Sequence, residues 1–139
     1  MGDRDYVQYI VVRKDLVPQM GYGKTAAQVA HASLGVLLYR FEGDSWREDE
    51  VRLIQHPNVQ EWFKGKFTKL VVYVKSKQKL LNLAEKLDKL EIHTKLIYDS
   101  CFTMLEPEEP DGTTLTCMGG VPLRRDEAPK CLTKLRLLE

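Results

Sequence analysis

Residues Val7 to Val12, VQYIVV, form a β-branched run with little polar alternation, the pattern of a strand buried on both faces of a sheet. The apolar period then lengthens. From Lys24 onward Ala27, Ala30, His31, Leu34, Leu37, Leu38 and Phe41 recur at helical spacing, and the small residues early in the run let that helix lie close against a sheet. This helix is expected to end near Glu42-Gly43, before a polar loop from Gly43 to Glu50 and a helical stretch from Val51 to Phe63 that Pro57 divides. A second strand is read at Lys69 to Val74, and Leu80, Leu83, Ala84, Leu87 and Leu90 mark a second helix over Lys77 to Leu90. Ile92 to Tyr98 and Thr113 to Met118 read as further strands, the last introduced by the turn-forming Asp111-Gly112. A closing helix is expected over Arg125 to Leu135, with Pro129 near its start or kinking it. Strands alternating with amphipathic helices predict an α/β fold: a three-layer α/β/α arrangement, with a four-stranded mixed, mainly parallel sheet and helices on both faces.

Length and charge narrow the picture. With 139 residues, 43% of them hydrophobic, the chain suits one domain spanning 1–139 and is too short for two. Lys and Arg number 21 against 20 Asp and Glu, so attraction to a polyanion must come from segregated charge. Bases gather at Lys64, Lys66, Lys69, Lys75, Lys77 and Lys79 and from Arg124 to Arg136; acids gather at Glu42 to Glu50 and Glu106 to Asp111. An ordinary solvated surface is the alternative reading of these runs. Three cysteines, Cys101, Cys117 and Cys131, lack zinc-type pairing and suit free thiols in a reducing compartment. The amino terminus has no small-residue cleavage site and carries Tyr6 where a myristoylation signal needs Ser or Thr. No apolar run approaches a bilayer's thickness, so no membrane contact and a cytoplasmic location are expected.

The chemistry concentrates after the first strand. Met20 to Ser33, MGYGKTAAQVAHAS, reads as a glycine turn leading into a helix, with Gly21 and Gly23 supplying conformational freedom and Lys24 standing at the transition. A nucleotide-binding loop would need a further glycine at position 18, which is Pro18. Beyond the carboxyl ends of parallel strands, Lys24 would meet Asp99 and Thr103, with Thr116 on the fourth strand facing the same crevice. A carboxylate can orient water while an ammonium stabilises a developing oxyanion; a plain salt bridge is the alternative. Gln28 and His31 share an edge of the helix with Lys24, unless His31 faces the sheet. Tyr22 or Trp62 could stack on a base, although Trp62-Phe63 reads better as core or lid. Neither His56 nor His93 forms metal-ligand spacing with a cysteine, so no metal is expected.

The series Arg13, Asp15-Leu16, Met20-Gly21, Gly23-Lys24, Ala26-Ala27-Gln28, His31-Ala32 resembles the amino-terminal signature of the type 2 peptidyl-tRNA hydrolases, the archaeal and eukaryotic family. The likeness continues through the second strand, the Leu-rich helix, the strand ending at Asp99, the Thr-bearing strand and a closing segment with Lys134-Leu135. The Thr116-Cys117 pair and the longer middle segment look most like the divergent peptidyl-tRNA hydrolase domain-containing branch. The resemblance implies hydrolysis of the ester joining a stalled peptide to its transfer RNA, with water activated at a Lys/Asp/Thr site and no metal or organic cofactor. It implies catalytic roles for Lys24, Asp99, Thr103 and Thr116, substrate-binding roles for Gly21, Gly23, Gln28 and His31, and peptidyl-tRNA as partner; a homodimer is compatible with it. The family's Asp-Ala-Gly-x-Thr stands here as Asp99-Ser100-Cys101-Phe102-Thr103, followed by the acidic run Glu106 to Asp111. Those departures motivate the alternative, a catalytically weak or inactive tRNA- or protein-binding module on the same fold.

Overall fold

Strand β1, Tyr6–Arg13, is buried at every position after Tyr6, because it has strands on both edges and helices on both faces. A computed structural model describes residues 5–38 and 53–139. In it, β1 pairs in parallel with β2 (Thr68–Val74) and antiparallel with β4 (Thr114–Gly120), which in turn pairs antiparallel with β3 (Thr94–Asp99). The order is therefore β2-β1-β4-β3. Three strands run one way and β4 opposes them, the mixed, mainly parallel sheet expected. Parallel hydrogen bonding is nevertheless confined to β1 and β2, since β4 separates β1 from β3. A short β5, Leu123–Arg124, extends the antiparallel pairing along the start of β1.

Alternation along β1 sorts its side chains between two layers. Val7, Tyr9 and Val11 pack with Leu80, Leu83 and Leu87 of helix α3 (Lys77–Lys89), whose first turn is capped by the Ser76 hydroxyl accepting from Lys79 N at 3.2 Å. Ile10 and Val12 pack on the other face against Ala32 of helix α1 (Val17–Gly35). Here α1 almost touches the strands: a Cβ on Gly119 of β4 would lie 2.1 Å from the Ala32 carbonyl oxygen. Only glycine admits that approach.

Several boundaries differ from the sequence expectation. Helix α1 ends at Gly35 rather than near Glu42-Gly43, because Val36 and Leu37 turn into a cluster with Val59, Trp62 and Val121. The Leu37 carbonyl accepts from Ile54 N at 2.8 Å instead of continuing the helical ladder. The loop expected over Gly43 to Glu50 lies outside the described residues. Pro57 does not divide a helix but opens one, α2 (Pro57–Lys64), where its missing N–H costs nothing and His56 Nδ1 accepts from Asn58 N at 3.1 Å. The closing helix over Arg125 to Leu135 is broken. A single 3-10 turn, Arg125–Glu127, is followed by extended Ala128 and Pro129 and the four-residue α4, Lys130–Thr133. Pro129 disfavours helical backbone at Ala128, which explains the break. The chain then runs along the free edge of β2, where Arg136 O accepts from Tyr73 N at 3.2 Å and Leu138 N donates to Val71 O at 2.9 Å.

Candidate active site

The carboxyl ends of β1, β2 and β3 and the start of β4 share one edge of the sheet. Gly21, with φ 72° and ψ 179°, breaks α1 after its first turn and restarts it at Tyr22. That positive φ is the reason for a glycine at this position; Gly23 has ordinary backbone and lies in the restarted turn. Lys24 is thus carried on the first turn of a helix, where the dipole disfavours a cation and favours an anion facing it. The facing anion is Asp99, at the end of β3, with its Oδ2 3.1 Å from Lys24 Nζ. Both side chains are mostly buried, at 13% and 11% exposure, so this is no solvated surface pair. Lys24 Nζ also donates to the carbonyl oxygen of Thr103 at 2.9 Å and to its Oγ1 at 3.1 Å. Those three acceptors match the three donors of an ammonium group.

Asp99 is oriented from two further sides. Cys101 N donates to Oδ2 at 2.9 Å, closing a tight turn in which Cys101 has φ 61°, and Gln28 Nε2 approaches Oδ1 at 3.4 Å. Gln28 is itself buried, and its Oε1 accepts from the Thr116 hydroxyl at 2.7 Å. Only the amide NH2 can face a carboxylate, which fixes the orientation of Gln28. Thr116 reaches Gln28 because the β3–β4 register shifts there: Ile97 stands opposite Cys117 and Tyr98 opposite Leu115, leaving Thr116 as the extra residue of a bulge. Such a bulge re-aims one side chain without ending the strand. Beside it the Cys117 thiol donates to the Gln28 carbonyl at 3.3 Å, and burial pushes its pKa up to about 11.

Of the residues read from the sequence, Lys24, Asp99 and Thr103 touch directly, whereas Thr116 acts on Asp99 only through Gln28. His31 is exposed and does not face the sheet. Gly21 shapes the turn that presents Lys24. Arg13 belongs to the signature without an implied role, and the structure gives it one. Its guanidinium, on a residue 3% exposed, binds Asp15 Oδ2 at 2.7 Å, Glu108 Oε1 at 2.6 Å and the Leu115 carbonyl at 3.0 Å. Burial opposes that charge, but the hydrogen bonds to Asp15 and Glu108 outweigh it and hold the proton more tightly than in free arginine. Arg13 therefore ties the residues after β3 to the end of β1. Leu105, buried with Leu16 and Met20, and the ion pair of Lys77 with Glu109 tie them further. A charged residue ending an otherwise buried strand was the available signal. Among the described residues, no three His, Cys, Asp or Glu side chains are grouped as a metal ion would require, and no helix is long and apolar enough to cross a membrane.

Comparison with known proteins accounts for nearly all of the chain. The family model described as Peptidyl-tRNA hydrolase PTH2 matches residues 6–138. A protein of Methanopyrus kandleri named peptidyl-tRNA hydrolase is 37% identical over 133 residues, covering 96% of this chain and 98% of the relative. Proteins of the same name from Sulfurisphaera tokodaii and Thermoplasma acidophilum are 34% and 30% identical, each over 93% of this chain and 95% of the relative. With the glycine turn, the Lys24–Asp99 pair and a family match of this extent together, the chain belongs to the type 2 peptidyl-tRNA hydrolase family.

Proposed function

We propose that this chain hydrolyses the ester of peptidyl-tRNA, releasing peptide and free tRNA, and that Lys24, Asp99 and Thr103 form the reacting site. The observation that carries the reading is the mostly buried Lys24–Asp99 pair, 3.1 Å apart, closed over by Thr103 at the sheet edge where strand-to-helix turns converge. Water held against Asp99 attacks the ester carbonyl. One of its protons passes by way of the carboxylate to the departing ribose oxygen as the carbon–oxygen bond breaks, the other stays on the peptide's new carboxyl group and leaves when that group ionises, and Asp99 ends as it began. Lys24 exchanges its contact with the Thr103 carbonyl for the oxyanion that develops on the ester. Gln28 and Thr116 are positioning residues that fix the Asp99 carboxylate. Exposed Lys75 and Lys79, just beyond the end of β2 on the same sheet edge, suit contacts with the phosphate backbone.

The test is turnover of an N-blocked aminoacyl-tRNA by the purified chain. Lys24→Ala and Asp99→Asn are each expected to lower kcat by about 100-fold or more. If both match the parent above the no-enzyme background, the assigned roles are wrong. A parent without turnover that still binds tRNA with steep salt dependence would favour the binding-module reading instead.

A further inference from the structure

Large apolar side chains are costly to leave in water when they cluster, and a cluster on a surface points to a ligand. The two most exposed large hydrophobic side chains among the described residues are Tyr22, at 95%, and Phe102, at 91%; Met104 follows at 67%. All three lie on the two segments that meet at the proposed site. Tyr22 is two residues before Lys24, and Phe102 and Met104 flank Thr103, whose carbonyl and hydroxyl oxygens hold Lys24 Nζ at 2.9 and 3.1 Å.

Phe102 stands out from a loop that is fixed on either side. Cys101 N is bound by Asp99 Oδ2, while Leu105 is buried against Leu16 and Met20 just before the kink that presents Tyr22. Cys101 and Met104 both adopt positive φ, 61° and 68°, so the backbone is turned on each side of Phe102-Thr103 in a conformation non-glycine residues avoid. A side chain projected from a fixed loop loses little freedom when it binds, which favours recognition over incidental exposure.

From this arrangement we infer that Tyr22 and Phe102, assisted by Met104, form an open aromatic rim that stacks on the unpaired terminal base of the transfer RNA. The inference rests on the peptidyl-tRNA reading and names the part of that substrate the rim takes. The scissile ester sits on the ribose of the last nucleotide, so its base is one sugar away from the reacting carbonyl. Tyr22 and Phe102 are carried on the two segments that the contact of Lys24 with Thr103 brings together, beside the place proposed for the ester. The acyl side differs from substrate to substrate, whereas the terminal base is constant and presents a π-face suited to stacking.

Two measurements test it. Binding is compared for a short single-stranded RNA ending in adenosine and the same RNA ending in an abasic ribose, using the parent, Tyr22→Ala, Phe102→Ala and the double variant. The parent is expected to prefer the intact terminus by about tenfold or more, with each substitution eroding that preference and the double variant abolishing it. In turnover of N-blocked aminoacyl-tRNA, the loss is expected in KM rather than kcat, and Tyr22→Phe restores it because the face, not the hydroxyl, carries the contact. Both rings are almost wholly exposed, so thermal unfolding midpoints near the parent's are the check that the variants fold. A parent indifferent to the terminal base overturns the inference even if it hydrolyses the ester. A KM loss that follows the identity of the acyl group also overturns it, by assigning the rim to the peptide. Base preference without turnover upholds the rim while removing the hydrolase reading.

Discussion

Replacing Gln28 with glutamate probes how the site is held. The amide oxygen accepts from Thr116 at 2.7 Å, and the amide nitrogen faces Asp99 Oδ1 at 3.4 Å. Glutamate keeps the shape and leaves Thr116 an acceptor, but puts a second carboxylate oxygen against Asp99. Two unit charges at that separation repel by about 5 kcal/mol at an effective dielectric of about 20. Lys24, 3.1 Å from Asp99, offsets part of this and leaves an expected loss of about 2–3 kcal/mol when both carboxylates are ionised. The pair relieves the repulsion by binding one proton, so its proton affinity is higher in the folded chain than in the unfolded one. Stability added by that proton is present at low pH and disappears as pH rises from about 4, the unfolded carboxylate range, through the raised folded value. Urea unfolding of the variant relative to the parent should therefore show a loss of about 1 kcal/mol near pH 5 that grows to about 3 kcal/mol near pH 8. Gln28→Leu removes both hydrogen bonds without adding charge, and its loss, about 1–2 kcal/mol, should not change across that range. A Gln28→Glu loss as flat as that of Gln28→Leu would refute the contact between Gln28 and Asp99.

Three further outcomes follow from the packing around the site. Gly119→Ala puts a Cβ 2.1 Å from the Ala32 carbonyl oxygen and 2.8 Å from its carbon, so α1 must lift from β4; about 3 kcal/mol of stability and most of the turnover should go, and a loss below about 0.5 kcal/mol would deny the close approach. The Cys117 thiol, buried and with its pKa pushed up to about 11, should resist alkylation near pH 8 until the chain is unfolded, and rapid labelling of that residue in the native chain would contradict its burial. Glu108→Gln leaves the buried Arg13 short of a carboxylate and should cost about 2 kcal/mol in urea unfolding while lowering kcat/KM, because residues 100–113 carry Thr103; unchanged stability would mean that Arg13 does not anchor them.

What could be read from the chain follows the range of the interactions involved. The β1 run and the Leu spacing of α3 are local patterns, and both appear within a residue or two of where periodicity puts them. The glycine turn was legible for the same reason, since Gly21 takes up a positive φ that follows from its own chemistry. Helix α1 is shorter than its pattern predicts, because Leu37 and Leu38 keep helical spacing yet are claimed by Ile54 and Leu53, a contact no local window contains. The Thr116 hydroxyl is legible as a candidate, but its bulge and the interposed Gln28 depend on how β3 and β4 pair. His31 matches the signature and shares the helix with Lys24, yet it is exposed, because seven residues carry it about 10 Å further along the helix axis than Lys24.

The acidic run Glu106 to Asp111 is where sequence and structure bear most differently on substrate binding. As a string of letters it places four carboxylates next to the site proposed for peptidyl-tRNA, and unscreened negative charge there would repel phosphate. Folded, two of those carboxylates are already engaged: Glu108 with the buried Arg13, and Glu109 with Lys77. A third, Asp111, accepts from the Thr113 hydroxyl and backbone nitrogen, which hold its proton affinity below the usual carboxylate range and fix it within its own turn. The run thus works largely as internal fastening. It ties the segment bearing Thr103 to β1 through Arg13 and to α3 through Lys77, while the exposed Lys75 and Lys79 remain beside it on the same sheet edge. The charge that approaching phosphate meets depends on that pairing rather than on composition. Segregation of charge in this chain is therefore a product of folding, which is why a net charge of +1 does not weigh against a polyanionic substrate.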